Sequence, residues 1–395
     1  MTPIPVEQAL TLLLQAIHPI EAVERLPLGL ACGRISAHTV LARLPQPPFN
    51  RSAMDGYALC STDLTEELTL SLQSPTEALL PGHAMPITTG GLMPEGADCM
   101  IQQEAVTVTA GKGQLRFAPK AGQNVCQCGG EMAAGTCLLK AGEHIIPAHI
   151  GLLAADGAAE IMVRHSPRVA VISIGDELRQ PGEPLGKNEV YDCNGPMLTA
   201  RLGCLNFVTE YHLCRDEMAK LRQVIDNALK SCDAVVTIGG GAVGSTDLMP
   251  ELLSQMAEPL LFDHVIMKPG GHMAAGLTGG KPIFSLSGNP FAAVATFELL
   301  CLPALLHLAG LEQCIPRRAT LRLRGSFSKA NKRRRFLRAM AQGDTVTLPV
   351  CSHASGSLYG LAGCNCMIDV PENCPALTDD EMVAVSYTHL TLPTT

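Results

Sequence analysis

The chain has 395 residues, a formal net charge of -8 and an apolar fraction of 47%. That length predicts about two to four domains, and the acidic balance argues against a duplex-DNA-binding protein, which needs a basic face. The sequence has neither a basic segment leading into an apolar signal core nor an uninterrupted apolar run of about 18 residues. We therefore expect a cytoplasmic protein that contacts neither a membrane nor nucleic acid, although a local site for a small anion is compatible with the overall charge.

The first segment of the chain predicts a helix followed by a break. Between residues 6 and 17, apolar side chains recur on one helical face. Three prolines within four residues then end regular structure, at Pro45, Pro47 and Pro48. From there the sequence has short apolar stretches between glycine and proline turns, which is typical of strands. We therefore assign residues 46–131 to a β-rich inserted domain.

A second helical pattern, at residues 148–159, follows this insert. We assign it to the same body as the first helix, so that residues 1–45 and 132–166 form one discontinuous N-terminal domain. The β-rich domain then interrupts the N-terminal domain instead of following it.

The next part of the chain alternates strands with helices, a pattern that predicts a three-layer α/β domain with a mostly parallel sheet at residues 167–314. The predicted strands cover residues 168–173, 207–211, 234–238 and 282–286. The predicted helices begin with Asn194 as N-cap and include residues 218–229, 249–256 and 292–308. Short alternating strands then predict a small C-terminal β-barrel-like domain at residues 315–385, and residues 386–395 resemble a non-native tail. The fold class is α/β plus all-β in a multidomain chain.

Glycine-rich segments follow three of the predicted parallel strands, at residues 175–177, 239–247 and 287–290. Ligands bind beyond the carboxyl ends of such strands, where glycines let backbone N–H groups approach an anion and helix N-termini add positive dipole ends. Lys268 supplies a positive charge suited to phosphate. The pattern indicates a phosphate-bearing small ligand; the alternative is that the glycines only form tight turns.

Acidic side chains lie among the same segments, at Glu177, Asp216 and Asp247, with Asp55 in the β-rich half of the chain. Carboxylates repel a phosphate unless a hard cation lies between them, and Mg²⁺ held by one or two carboxylates and phosphate oxygens is the usual arrangement. Two alternatives remain open at this point. Asp216 and Asp247 both precede predicted helices and can act as N-caps, and Asp55 can be a turn residue.

Five separated segments, spanning about residues 5–385, resemble the molybdopterin molybdenumtransferase family, which includes bacterial MoeA and the E domain of gephyrin. The most specific is the Ser-Ala-Met-Asp-Gly-Tyr-Ala run at residues 52–58. The others are residues 88–90 with 94–98, residues 173–178 with 181–182, residues 239–247, and residues 268–270 with 288–290. They occur in the order that the family has.

The resemblance implies a Mg²⁺-dependent enzyme that inserts molybdate into adenylylated molybdopterin and releases AMP. It also implies a homodimer whose site is shared between subunits, with transient contacts to molybdopterin adenylyltransferase and apo-molybdoenzymes. The implied catalytic residues are Asp55, Glu177, Asp216 and Asp247, and the implied metal ligands are Asp55, Glu177 and Asp247. The implied substrate-binding residues are Thr89, Glu131, Ser173, Gly175, Gly239, Gly240, Gly241, Ser245, Lys268, Gly288, Asn289 and Pro290.

Several positions depart from the family pattern. The family's arginine-rich run after the insert is Cys-Gln-Cys-Gly-Gly-Glu here, ending at Glu131. Ile174 and Ala242 stand where the family has hydroxyl side chains, and His272 stands where many members have a second lysine. These losses motivate one alternative, a paralogue that binds molybdopterin or the finished cofactor without catalysis. A second alternative is a molybdopterin adenylyltransferase, which the β-rich insert and the C-terminal domain argue against.

Overall fold

The computed structural model describes residues 1–65, 69–76, 78–240, 248–330, 332–350 and 353–388. The helices in these residues are α1 Val6–Ala16, α2 Pro147–Ala155, α3 Asn194–Gly203, α4 Met218–Ser231, α5 Leu248–Met256, α6 Pro290–Thr296 and α7 Leu302–Leu308. A π-helical turn, Phe297–Cys301, joins α6 to α7. The strands before the second helix are β1 Val23–Pro27, β2 Val40–Leu41, β3 Arg51–Ser52, β4 Gly56–Leu59, β5 Thr69–Leu72, β6 His83–Ile87, β7 Cys99–Gln102, β8 Val106–Thr109, β9 Lys112–Leu115, β10 Val125–Cys126 and β11 Cys137–Leu139.

Apart from β12, which pairs with β1, the later strands form the α/β sheet, the short parallel pair of β14 and β15, and the C-terminal barrel. They are β12 Glu160–Arg164, β13 Arg168–Ile174, β14 Leu178–Arg179, β15 Val190–Tyr191, β16 Val208–Cys214, β17 Ala234–Gly239, β18 Leu260–Phe262, β19 Ala274–Thr278, β20 Lys281–Leu286, β21 Arg318–Arg324, β22 Arg335–Gln342, β23 Thr345–Thr347, β24 Cys366–Val370 and β25 Met382–Tyr387. The predicted mixture of α/β and all-β parts is confirmed.

Segments on either side of the β-rich insert pair with one another. β1 is antiparallel to β12, and β2 is antiparallel to β11. Their apolar side chains share a core with α2, around Leu139, Ile145 and Leu153. The first helix instead buries Val6, Ala9 and Leu13 in the core of the α/β domain. The predicted domain boundaries stay a prediction.

The insert is a six-stranded sheet in the order β7-β4-β6-β5-β9-β8. β4 lies inside this sheet, antiparallel to both β6 and β7. Its first residue must be glycine, because a Cβ at Gly56 would come within 2.0 Å of the Ile101 carbonyl oxygen. The chain after Asp55 therefore enters the sheet at a backbone contact so close that only glycine fits there.

The α/β domain has a six-stranded sheet in the order β16-β13-β17-β20-β19-β18. The first four strands are parallel and β19 is antiparallel to its neighbours, so the predicted mostly parallel sheet is confirmed. Alternate residues of β13 face opposite cores: Val169 and Val171 pack on the side of α3 and α6, and Ala170 and Ile172 on the side of α4 and α5. Helices cover both faces of the sheet. Because β13, β17 and β20 are parallel, their carboxyl ends lie together at one edge.

The C-terminal part is a closed five-stranded barrel in the order β21-β23-β22-β24-β25. Its last strand continues to Tyr387, two residues past the predicted boundary at 385, and the Thr388 N–H donates to the Asn365 carbonyl at 3.0 Å. Residues 389–395 of the predicted tail lie outside the described residues. Within the described part of the chain, one helical segment, Pro290–Leu308, is long and apolar enough to cross a membrane, and 89% of it is buried inside the protein.

Candidate functional site

A cavity of about 710 Å³ opens at the carboxyl ends of β13, β17 and β20. Eight of the predicted site residues line it: Ser173, Gly175, Glu177, Asp216, Gly239, Gly240, Gly288 and Asn289. Pro290 follows directly as the first residue of α6. The strand-end segments that the sequence singled out therefore come together in one place.

Glycine conformation shapes the wall of this cavity. Gly239 and Gly240 have φ angles of +92° and +78°, which other residues rarely adopt. A Cβ at Gly239 would also lie 2.4 Å from the Ile174 carbonyl oxygen. At the neighbouring strand end, the Glu177 carboxylate lies directly over Gly175, where a Cβ would be 2.8 Å from Oε2. These glycines allow the close approach of backbone and carboxylate around the cavity, beyond forming turns.

The charged side chains along the cavity are mostly acidic. Glu177, Asp192 and Asp216 line it, and His272 is the one described lining residue that can carry positive charge. The half-buried Asp216 accepts a hydrogen bond from the Asp176 N–H at 3.2 Å. It does not cap α4, whose N-cap is Glu217 and has no side-chain cap bond. The capping alternative for Asp216 is therefore not supported.

The start of α3 differs from the prediction. Asn194 is not the N-cap; it is the first helical residue, and Asp192 Oδ1 accepts the backbone N–H groups of Asn194 and Gly195 at 3.0 and 3.2 Å. Two of the first donors of α3 are therefore already bound to a carboxylate. At α6 the Phe291 N–H donates to the Ser355 carbonyl of the barrel segment at 2.8 Å. The expected contribution of free helix N-termini to anion binding is reduced at both helices.

Asp55 lies in a second cavity, of about 560 Å³, in the β-rich insert. Its Oδ1 accepts hydrogen bonds from the Thr89 backbone N–H at 2.6 Å and from Thr89 Oγ1 at 2.9 Å. These two bonds lower the pKa of the exposed Asp55 carboxyl below its ordinary value, since they stabilise the ionised form. The residues that line this cavity and those that line the α/β cavity do not overlap. Asp55 and Thr89 are thus brought together with each other but not with Glu177 of the same chain.

The remaining predicted residues have different surroundings. Lys268 is exposed, and its backbone joins the barrel through an N–H bond to the Arg334 carbonyl at 3.0 Å and a carbonyl bond from the Phe336 N–H at 2.8 Å. It is not among the residues that line the α/β cavity. Glu131 is exposed beside Gln46, whose carbonyl accepts its N–H at 3.0 Å, and it lines neither cavity. Gly241, Ser245 and Asp247 lie outside the described residues.

Five polar residues that line the α/β cavity, in the described part of the chain, were not predicted as site residues: Asp192, Asn194, His272, Ser285 and Ser287. Asp192 had a detectable signal, because an aspartate just before a helix start is a common cap. Ser287 is the first residue of the predicted strand-end segment 287–290. His272 was noticed only as a lost lysine, since nothing in its neighbours indicated that it faces a cavity.

Three family models match the chain in succession. They describe the MoeA N-terminal region (domain I and II) at residues 4–157, a probable molybdopterin binding domain at residues 170–307, and the MoeA C-terminal region (domain IV) at residues 320–386. The matches follow the same order as the insert-bearing N-terminal part, the α/β domain and the barrel.

Individual proteins show the same similarity over nearly the whole chain. The molybdopterin molybdenumtransferase of Staphylococcus aureus (strain MSSA476) is 32% identical over 386 residues, which cover 93% of this chain and 92% of that protein. The protein of the same name from Staphylococcus epidermidis is 30% identical, with coverage of 94% and 92%. Among solved structures, a molybdopterin biosynthesis MoeA protein from Pyrococcus horikosii has a TM-score of 0.84 and 29% identity, covering 98% of this chain and 99% of that chain.

Proposed function

The chain belongs to the molybdopterin molybdenumtransferase family of molybdenum cofactor biosynthesis, and from that premise we propose that it inserts molybdate into adenylylated molybdopterin with Mg²⁺ and releases AMP. It is a transferase. The substrate, the metal and the released nucleotide are the parts that we propose for this chain. We also propose that it works as a cytoplasmic homodimer that meets molybdopterin adenylyltransferase and apo-molybdoenzymes transiently.

One observation carries the proposal: the α/β cavity combines glycine-lined strand ends with carboxylates and, among the described lining residues, has neither lysine nor arginine. Two like unit charges about 4 Å apart repel each other by roughly 4 kcal/mol at an effective dielectric constant near 20. A phosphate ligand beside Glu177 and Asp216 therefore needs a cation between them. The single histidine cannot offset the carboxylates.

The donor chemistry of the cavity fits Mg²⁺. Glu177 and Asp216 offer carboxylate oxygens, which hard cations prefer. Asp192 is less available because hydrogen bonds already occupy both of its oxygens. Mg²⁺ usually takes only one or two carboxylates and completes its shell with phosphate oxygens and water, and Glu177 and Asp216 are two carboxylates at one cavity. The bound ion would supply positive charge at the phosphates.

We assign the remaining tasks at the α/β cavity to polar groups of the chain. Gly239 and Gly240 have no side chain of their own, so their backbone allows close contact with a phosphate. His272 can donate a hydrogen bond to an anionic oxygen. Lys268, held by its backbone to the barrel, adds an exposed positive charge that a larger ligand can reach. Asp247 stays a proposed acid, since it lies outside the described residues.

We assign Asp55 the role of a fixed hydrogen-bond acceptor that orients a water molecule or an oxygen-bearing reactant. Its lowered pKa keeps it ionised and makes it a weak general base. Within one chain, the Asp55 cavity and the α/β cavity share no lining residue. A homodimer in which the insert of one subunit covers the α/β cavity of the other would complete the site. That arrangement is part of the proposal.

The proposal is tested with purified protein, adenylylated molybdopterin, molybdate and Mg²⁺, following AMP release and activation of an apo-molybdoenzyme. We expect AMP release that needs both Mg²⁺ and molybdate. Tight binding of the substrate without AMP release would favour the non-catalytic paralogue, which Ile174 and Ala242 motivate. Formation of adenylylated molybdopterin from ATP would favour the adenylyltransferase instead.

A further inference from the structure

We propose that Asp192 and Asn194 are positioning residues that fix the strand-end segments around the α/β cavity, an inference that rests on the proposed function for its effect on catalysis. Neither residue is needed as a cation ligand or proton carrier in this account. Their side chains hold α3 and the segment after β20 at a fixed distance from each other. We call the side chains of Asp192 and Asn194 together the cavity tie.

The first half of the cavity tie is a buried carboxylate. Asp192 is only 3% exposed and follows β15 directly. Its Oδ1 accepts the N–H groups of Asn194 and Gly195, and its Oδ2 accepts the Tyr211 hydroxyl at 2.8 Å. One side chain therefore joins the β15 end, the first turn of α3 and the edge strand β16.

The second half is a buried amide. Asn194 is 8% exposed, and its Nδ2 donates to the Gly288 carbonyl at 2.7 Å across 94 residues of sequence. Gly288 belongs to the segment after β20 that lines the cavity, and it packs close to Gly239, where a Cβ at Gly288 would be 3.4 Å from the Gly239 Cα. The Asn194 side chain is thus bonded to one cavity-lining backbone, which lies beside a second at Gly239.

Packing around Gly195 leaves the cavity tie little freedom. A Cβ there would lie 2.3 Å from the Tyr211 ring, 2.5 Å from Asp192 Oδ2 and 2.6 Å from Ser173 Oγ. Burial and the adjacent Asp192 raise the pKa of the Tyr211 hydroxyl, so it stays a donor to the carboxylate at neutral pH. Several close contacts therefore have to change together before α3 can shift.

Glu177 lines the same cavity, but it is exposed and lies over Gly175. Both oxygens of Asp192 accept hydrogen bonds from donors of the chain, whereas Glu177 presents an exposed carboxylate to the cavity. Loss of the cavity tie should therefore weaken ligand fit while leaving the reacting groups in place. Displacements of about 1 Å in a site can lower rates or affinities by up to about 100-fold.

The test uses Asn194→Asp, which keeps the shape but replaces the amide donor with a carboxylate facing the Gly288 carbonyl. Asn194→Gln retains a donor, Tyr211→Phe removes one bond to Asp192, and Asn227→Asp is the matched control on the exposed face of α4. We expect hydrogen–deuterium exchange of the ligand-free protein to rise about tenfold at residues 286–290 in Asn194→Asp and to stay unchanged in the control. Asn194→Gln should recover part of the protection.

The functional measurement compares the change in KM for adenylylated molybdopterin with the change in kcat in each variant. We expect Asn194→Asp to raise KM by about tenfold with a smaller change in kcat, and Tyr211→Phe to raise KM by about threefold. Unchanged exchange at residues 286–290 would overturn the cavity tie, and raised exchange with an unchanged KM would overturn its positioning role. If the wild-type protein releases no AMP, the proposed function fails, and the exchange measurement alone decides whether the cavity tie exists.

Discussion

The carboxylates of the two cavities in this chain have opposite surroundings. In the β-rich insert, Asp55 receives both of its hydrogen bonds from Thr89 and is held ionised by its own chain. In the α/β domain, Glu177 and Asp216 share a cavity whose described lining has no lysine or arginine. The first carboxylate is already hydrogen-bonded within its own chain, whereas we propose that the second site takes positive charge from a bound cation. The comparison sets a preformed acceptor against a proposed cation-dependent ligand site.

The largest expected effect comes from removing the charge of the α/β cavity. The double substitution Glu177→Gln and Asp216→Asn should abolish Mg²⁺-dependent binding of AMP and lower turnover by at least about 100-fold, because the proposed ion loses both described carboxylate ligands. Isothermal titration with and without Mg²⁺ measures the first effect. Asp226→Asn, on the exposed face of α4, is the matched control and should change neither quantity. Undiminished Mg²⁺-dependent binding in the double variant would remove these acids from the cation site.

A more selective effect is expected from Asp55→Asn. Turnover should fall by about 100-fold because a fixed charged acceptor is lost. The affinity of the Mg²⁺–AMP complex should stay within about twofold of the wild type, since the proposal assigns the cation to Glu177 and Asp216 and gives Asp55 only the role of an acceptor for the reactant. Steady-state AMP release and titration of the same preparation measure the two quantities. A parallel loss of affinity would contradict the division of tasks between the cavities.

A moderate effect is expected from His272→Lys. The lysine adds a positive charge to a cavity whose charged lining residues, in the part of the chain that the structure describes, are mostly acidic. The variant should bind AMP about threefold more tightly than the wild type at low salt, and the gain should shrink as salt screens the contact. Isothermal titration at low and high salt checks this. Equal affinity in both proteins would show that position 272 does not meet the anion.

The smallest effect is expected from Thr89→Val, which removes the hydroxyl donor to Asp55 but keeps the backbone N–H. The pKa of Asp55 should rise toward its ordinary value. Protonation would then begin at a higher pH, so the activity that the ionised carboxylate supports would be lost earlier as pH falls. Carboxyl chemical shifts measured by NMR follow this change, and Thr107→Val on β8 is an exposed control. An unmoved titration of Asp55 would assign the lowered pKa to another cause.

Sequence patterns located the parts of the fold that depend on local periodicity. The apolar face of α1, the continuous apolar run of β13 and the alternation of strands with helices are each properties of a few neighbouring residues. The strand-end glycines were also recognisable, because parallel strands bring their carboxyl ends to one edge. Their convergence in one cavity follows from that topology.

Contacts between distant segments could not be predicted in the same way. Whether Asn194 caps a helix or bonds to Gly288 depends on a packing contact 94 residues away. The phosphate contact of Lys268 stays a prediction, whereas the pairing of its backbone with the barrel strand that begins at Arg335 had no local signal in the sequence. The two last residues of β25 looked unrelated to the preceding strands because their pairing partners lie at the start of β21 and β24.

We propose that the two cavities are halves of one site, which is completed across a homodimer. The direct measurement is co-expression of the Asp55→Asn and Glu177→Gln chains with different affinity tags, followed by isolation of the mixed dimers and an AMP-release assay. Each variant alone should be nearly inactive, whereas a mixed dimer has one site with both substitutions and one with neither. Random pairing should therefore restore about a quarter of wild-type activity before purification, and isolated mixed dimers about half. No recovery in the isolated mixed dimers would contradict the shared site.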